Sequence, residues 1–299
     1  MIPDFTRPSW NSARGCKGLH PGLAFYRLFD AGPDDENKRK EALALMATKT
    51  SAPFAGELAD RMKAQLASLE STGVWKSRGP WEDVLATRMA VGMGIPHQTE
   101  NGLWLDRTHG APVVPGSVLK GVTQDWALVE KGVFFDGGER RKAKRTDPEM
   151  VAVFGMQTPE GEEKPDKNFQ ARRGHVVFFD ALPVGGSGFF DTDIMNPHYG
   201  DYYSSEGDAP PADYLNPNPI VFLTVKAGTR YRFALAARPA QFDLALPPGA
   251  SGEESRTVSV SFPAEELLSL AEGWLRSALT QLGAGGKTRA GYGIFRGKE

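Results

Sequence analysis

Residues 263–296, PAEELLSLAEGWLRSALTQLGAGGKTRAGYGIFR, decide how the rest of the chain is read. The first half is an amphipathic helix. Pro263 fits a first turn, where a missing N–H costs no intrahelical bond, and Glu265 and Glu266 suit the positive end of the helix dipole. Leu267, Leu268, Ala271, Trp274, Leu275, Ala278, Leu279 and Leu282 recur at helical spacing along one face, and Gly283 supplies the stop. A glycine-rich turn follows, and Ala290 to Arg296 are expected to form a short last strand.

Upstream of this helix the pattern changes to alternation. Thr257 to Phe262 reads as a strand, and Ile220 to Lys226, the turn Ala227-Gly228-Thr229, and Tyr231, Phe233 and Leu235 read as a β-hairpin. Within His175 to Ala181, the continuous apolar run Val176-Val177-Phe178-Phe179 predicts a central strand covered on both faces. A further strand is expected at Val84 to Gly92. Between them a helix of about 13 residues starts after Pro115-Gly116, with Ser117 as N-cap and Leu119, Val122, Trp126 and Val129 on one face. The order strand, helix, strands, helix, strand predicts an α+β, ferredoxin-like (RRM-like) sandwich with both helices on one sheet face.

Residues 34–72 carry a helical apolar stripe through Ala42, Leu43, Leu45 and Met46, then Leu58, Met62, Leu66 and Leu69. This predicts an N-terminal helical extension, residues 1–75, packed on a core domain at 76–299. Gly94 to Pro115 is a long loop, and insertions are expected at about 137–167 and 185–219.

Composition narrows the function classes. With 299 residues, 40% of them apolar, a sizeable core can form. A net charge of −2 excludes a surface that coats nucleic acid indiscriminately, so contact with RNA must be local. The basic residues are concentrated in Arg140 to Arg145 and in Lys287, Arg289, Arg296 and Lys298. No apolar run is long enough to span a bilayer, and Met1 to Trp10 lacks a secretory pattern, so a cytoplasmic protein without membrane contact is expected. Cys16 has no partner for a disulfide. Cys16 and His20 have the spacing of half a zinc site with no second pair, so neither metal nor other cofactor is expected.

Three constellations can carry chemistry. In Gly283 to Gly293, glycines let backbone N–H groups approach a phosphate and Lys287 and Arg289 add charge; the candidate contacts are Gly285, Gly286, Lys287, Thr288, Arg289, Gly291 and Tyr292. Gly286-Lys287-Thr288 is not a nucleotide-binding P-loop, because Gln281 stands where the first glycine belongs and the loop follows a helix instead of preceding one. A helix cap with a tight turn is the other reading. The second constellation is Val114 to Gly121, where Gly116, Ser117 and Lys120 sit at a helix N-terminus open to anions. A capped helix packed closely on the sheet competes with it. The third is Asp191 to Tyr203: His198, Tyr199 and Tyr202 suit base stacking, with no repeated ligand spacing for a metal. A rigid turn docked on its own domain is the alternative.

The Pro-Gly-Ser-x-x-Lys-Gly helix start at 115–121 and the terminal glycine-rich loop, in this order, resemble the RAMP superfamily. Within it, Asn196-Pro197-His198-Tyr199-Gly200-Asp201-Tyr202-Tyr203, Gly285-Gly286-Lys287-Thr288 and Ala290-Gly291-Tyr292-Gly293 resemble the sixth subunits of Cmr-type, type III-B CRISPR effectors. His20-Pro21-Gly22-Leu23-Ala24-Phe25-Tyr26-Arg27 does so too, and the resemblance spans residues 20 to 298. It implies a non-catalytic RNA-binding subunit of a ribonucleoprotein built on one CRISPR guide RNA, placed at the end distant from the guide 5′ tag. Its implied partners are the guide, target single-stranded RNA and other Cmr-type RAMP subunits. In related cleaving subunits an aspartate between the first strand and first helix is catalytic. Here that loop contains Glu100 and Asp106, and His97 or His109 with Lys120 could serve as acid and base, so a repeat-processing or target-cleaving ribonuclease is the alternative.

Overall fold

The computed structural model describes residues 18–27, 29, 36–53, 55–133, 146–156, 171–197, 217, 219–246 and 256–297. Three helices come first: α1 (Pro21–Tyr26), α2 (Glu36–Lys49) and α3 (Ala55–Ser71). Strand β1 (Lys76–Val84) leads through a long connection to α4 (Gly116–Glu130) and α5 (Pro148–Phe154). Short strands β2 (Gly155–Met156), β3 (Arg172–Arg173), β4 (Val176–Phe178) and β5 (Leu182–Pro183) follow. Longer ones come next: β6 (Phe190–Met195), β7 (Ile220–Val225), β8 (Arg230–Ala237), β9 (Ala240–Leu246) and β10 (Arg256–Phe262). Helix α6 (Ala264–Gln281) and a 3₁₀ turn at Thr288–Ala290 complete the described elements.

The α+β class is as expected, but the centre of the sheet is not Val176–Phe179. Strand β8 is central, antiparallel to β1 on one side and to β4 and β5 on the other. Phe233, Ala234, Leu235, Ala236 and Ala237 are all buried, so both faces of β8 are covered. The alanines disguised this: small side chains at the even positions are compatible with a packed face, although the alternation of large residues suggested only one. Arg78 of β1 pairs with Glu272 of α6 at 2.9 Å, whereas the adjacent Ser77 hydroxyl donates to Glu70 of α3 at 2.7 Å. Successive strand residues point to opposite faces, so α6 and α3 cover opposite sides of the sheet. Helix α4 packs beside α6, and the indole N–H of Trp274 reaches Glu130 at 3.2 Å.

The expected hairpin at 220–235 is not one. Strand β7 pairs with β6 in a separate sheet, and the turn at 227–229 crosses between sheets. The reason lies in residues 85–90, which occupy the positions a hairpin partner would take: Met89 and Val225 exchange backbone bonds at 3.0 and 2.8 Å, and Leu85 bonds Thr229 and Gly228. The ladder of β1 accordingly lies at 76–84, earlier than Val84 to Gly92, with 85–90 making only isolated bridges. Residues 290–296 likewise contain a turn and one bridge, Phe295 to Leu85, in place of a strand. Strand β6 falls inside the segment read as irregular; its Asp191-Thr192-Asp193 core masked the strand pattern.

The helix ends are closer to expectation. Helix α6 spans the expected residues, with all but the last of its apolar face buried. In α4 the buried face is Gly116, Leu119, Thr123, Ala127 and Leu128, rotated from the expected set by the neighbouring α6. Phe25, Leu43, Met46 and Met62 from the first three helices belong to the same hydrophobic cluster as β8 and α6, so the N-terminal segment shares the core.

Candidate nucleic-acid interface

The glycine-rich loop is built from the end of α6 against residues 84–93. Leu282 and Gly283 donate to the Ala278 carbonyl at 2.8 and 2.9 Å, closing the helix. Ala284 then donates to Gly293, Gly293 to Arg88 and Gly286 to Ala90, at 2.9, 2.7 and 2.7 Å. Two glycines are demanded by this packing. At Gly293 (φ +75°) a Cβ would run into the Ala284 carbonyl, and at Gly285 (φ +97°) it would lie 2.5 Å from the Ala90 oxygen. Much of the glycine content therefore serves the turn.

The tip is different. Lys287 is left-handed (φ +56°) and is followed by the right-handed turn at Thr288–Ala290, the sequence of conformations that lines N–H groups into an anion-holding nest. The N–H groups of Lys287, Thr288 and Arg289 meet no acceptor among the described residues, and the Lys287 and Arg289 side chains are exposed without an ion pair there. Gly291 is exposed, with open space where a Cβ would be.

Tyr292 does not belong to that open tip. Its hydroxyl donates to Asp193 Oδ2 at 2.6 Å, and Arg88 spans Asp191 and Asp193 at 2.9 and 3.3 Å. Burial, then the hydrogen bond to Asp193, pushes the Tyr292 phenol up to about 12. Burial alone would raise the Asp193 carboxyl, but the bonds from Tyr292 and Ile194 and the charge of Arg88 hold it below the usual range. The phenol thus anchors the loop to β6. Arg88 and Asp193 carry no sequence motif, and only the fold brings them together.

At the other motif the structure corrects the expected cap. Pro115 occupies the N-cap position of α4 without a side-chain bond, Ser117 is exposed, and the Gly116 N–H donates to Asp180 Oδ1 at 2.7 Å. The helix N-terminus is therefore already met by the chain's own carboxylate. Gly116 is pressed against the Phe178 backbone, while a Cβ at Gly121 would meet open space. Lys120 is half-buried; burial, then the nearby charge of Arg173, lowers its pKa. No hydrogen bond or ion pair joins 115–121 to 283–293 among the described residues, so the two motifs are not brought into one groove by direct contact. His198, Tyr199, Tyr202 and the basic run at 140–145 lie outside the described residues.

Three of the candidate acid–base groups, His97, Asp106 and His109, make structural bonds. His97 stacks on Phe25 with ring centroids 3.7 Å apart, its nitrogens bond the Phe25 carbonyl and Thr99, and burial lowers its pKa. Asp106 accepts from the N–H groups of Thr108 and His109 and bonds the His109 ring at 2.7 Å, capping its own turn. Burial opposes but the His109 and Thr108 bonds prevail, keeping the Asp106 carboxyl low. Glu100 is exposed in a left-handed conformation (φ +67°). His20 caps α1 through Nδ1 and bonds Thr108 through Nε2. Between α1 and 103–107 lies a cleft of about 560 Å³, with Leu23 and Trp104 exposed and Arg27 and Arg107 at its edge.

Comparison with known proteins gives these arrangements a context. One solved structure, the type III-B Cmr-beta complex bound to cognate target RNA, contains a chain that superposes with a TM-score of 0.50 at 17% identity, covering 87% of this chain and 71% of that one. The crystal structure of Cmr6 from Pyrococcus furiosus aligns at 26% identity and a TM-score of 0.40, over 75% of this chain and 99% of that one. In sequence, the CRISPR system Cmr subunit Cmr6 of Pyrococcus furiosus is 30% identical over 243 residues, 69% of this chain and 64% of that protein's length. The chain thus spans under two thirds of that relative. A model of the RAMP superfamily matches residues 84–296, which take in both glycine-containing motifs and well over half the chain, and the chain belongs to that superfamily.

Proposed function

We propose that this RAMP protein is a non-catalytic, cytoplasmic RNA-binding subunit of a type III-B Cmr ribonucleoprotein effector. In this reading it holds CRISPR guide RNA and helps position target single-stranded RNA beside other Cmr-type subunits, at the end distant from the guide 5′ tag. The similarity to Cmr6 supports the assembly. The observation that carries the RNA contact is the loop tip, where three consecutive N–H groups and the exposed Lys287 and Arg289 are without protein partners among the described residues. Such a nest with two cations suits one or two phosphates and reads no base.

The test is guide-RNA affinity against salt for the wild type and Lys287→Ala/Arg289→Ala, in the assembled complex. Each lost single-strand phosphate contact lowers the log–log slope by about 0.7, so the double variant should flatten it by roughly one. Unchanged affinity and slope would reduce the loop to a helix cap and turn. The ribonuclease alternative has the Asp106–His109 pair as its best acid and base, but that pair is committed to its own turn. RNA cleavage abolished by Asp106→Ala, with folding intact, would reverse the non-catalytic assignment.

A further inference from the structure

Lys287 adopts a left-handed backbone (φ 56°, ψ 28°). Among the described residues only Glu100 shares a positive φ without being glycine. Such a conformation is strained for a residue with a Cβ and persists only where the surroundings over-determine it. At Lys287 the strain falls on the residue that opens the nest, where this same conformation lines up the N–H groups.

The contacts that hold it form a chain. The Lys287 carbonyl accepts from the Ala290 N–H at 2.9 Å and, over a longer 3.4 Å, from the Tyr292 N–H. Tyr292 is fixed in turn: its ring packs on Phe222 of β7 with centroids 6.1 Å apart, and its hydroxyl donates to Asp193 at 2.6 Å. Phe222 and Asp193 are partners across the β6–β7 ladder, so ring and hydroxyl are seated on one face of one sheet. Arg88 joins the chain from the other side. Its guanidinium bonds Asp191 and Asp193, its carbonyl accepts from the Gly293 N–H at 2.7 Å, and the neighbouring Thr87 hydroxyl accepts from the Ile294 N–H at 3.1 Å.

We infer that Asp193 and Arg88 are positioning residues for RNA binding: acting through Tyr292, they hold Lys287 left-handed and keep the 287–289 nest shaped for phosphate, without contacting RNA themselves. The inference rests on the RNA-binding reading above and deepens it. By charge alone Asp191 and Asp193 repel a polyanion, so removing one of them should tighten RNA binding. Positioning has the opposite sign, because a loop released from β6 must be ordered again each time RNA binds.

The experiment measures guide-RNA affinity across salt in the assembled complex, well below the melting temperature. It compares the wild type with Tyr292→Phe, Asp193→Ala, the two combined, Arg88→Gln, and Lys287→Ala/Arg289→Ala. Tyr292→Phe and Asp193→Ala should each weaken binding about three- to tenfold and leave the salt slope unchanged, since neither removes a phosphate contact. Combined, they should lose no more than the larger single loss, because both break one link. Asp180→Ala, which removes the bond at the start of α4, is the control for general loosening and should bind RNA like the wild type. Unchanged binding in Tyr292→Phe, or unchanged or tighter binding in Asp193→Ala, would overturn the positioning role. If the Lys287→Ala/Arg289→Ala variant still lost affinity, the RNA-binding reading would stand. No loss in any variant would overturn both, and an equal loss in Asp180→Ala would reduce the effect to loosening and overturn the positioning role. Arg88→Gln should also weaken binding; a slope flattened by about 0.7, the mark of a lost phosphate contact, would make Arg88 itself an RNA contact and overturn its assignment.

Discussion

Pro115–Gly121 and Gly283–Gly293 have the same elements in sequence: glycines, a hydroxyl residue, and one or two cations at a helix end. The fold treats them in opposite ways. At 115–121 the Gly116 N–H is taken by Asp180 at 2.7 Å and the backbone is pressed on Phe178, so the first N–H of the helix is used inside the protein. At 287–289 three N–H groups and two cations meet no partner among the described residues, while the flanking glycines lock the loop onto Ala90 and Ala284. A helix or turn N-terminus becomes an external anion site only where its own chain supplies no carboxylate. That condition depends on Asp180, a residue 64 positions from Gly116 in sequence.

The sharpest break in this comparison is within the second loop. Gly293→Val combines a left-handed backbone with a clash against the Ala284 carbonyl and should cost on the order of 3 kcal/mol or more in urea denaturation. Gly291→Ala meets no neighbour, and should cost only about 1 kcal/mol from its backbone conformation. Equal losses at the two positions would mean that the Ala284–Gly293 pairing does not hold the loop.

At the first motif, Asp180→Ala removes the carboxylate at the start of α4, with an expected loss of about 1 kcal/mol in stability and no change in the RNA salt slope. A slope that steepened would show that RNA enters the vacated N-terminus.

The link between β6 and the loop sharpens the comparison through pH. Because the Asp193 carboxyl is held below its ordinary value of 3.8, its contribution is present above that pH and is lost as pH falls further. Tyr292→Phe should cost about 1 kcal/mol at neutral pH and reduce the loss of stability on acidification to roughly pH 3. An unchanged acid limb would place the anchor elsewhere. The smallest effect is expected for Lys287→Ala/Arg289→Ala: melting should move by no more than about 0.5 kcal/mol equivalent, since both side chains are exposed and neither is paired among the described residues.

Helix α6 and the start of α4 were legible because each carries its own apolar periodicity and a proline or glycine boundary; local sequence suffices for that. The cation-bearing loop at 283–293 was legible for a similar reason, since its chemistry is contiguous. The family followed from the same motifs. What the sequence concealed was every feature made by distant residues. The centrality of β8 depends on α3 and α6 covering opposite faces, and the loss of the 220–235 hairpin depends on residues 85–90 pairing between its two halves. The bond from Tyr292 to Asp193, itself paired with Arg88, shows only in the fold, and Ser117 looked like a cap until Asp180 took that place. By itself, then, the sequence determined the helices, the α+β class and the candidate loop, because helical periodicity and turn chemistry act over a few residues. Only the tertiary structure decided strand pairing and which N–H groups and carboxylates are already taken, because each is settled by groups brought together from far apart in the chain.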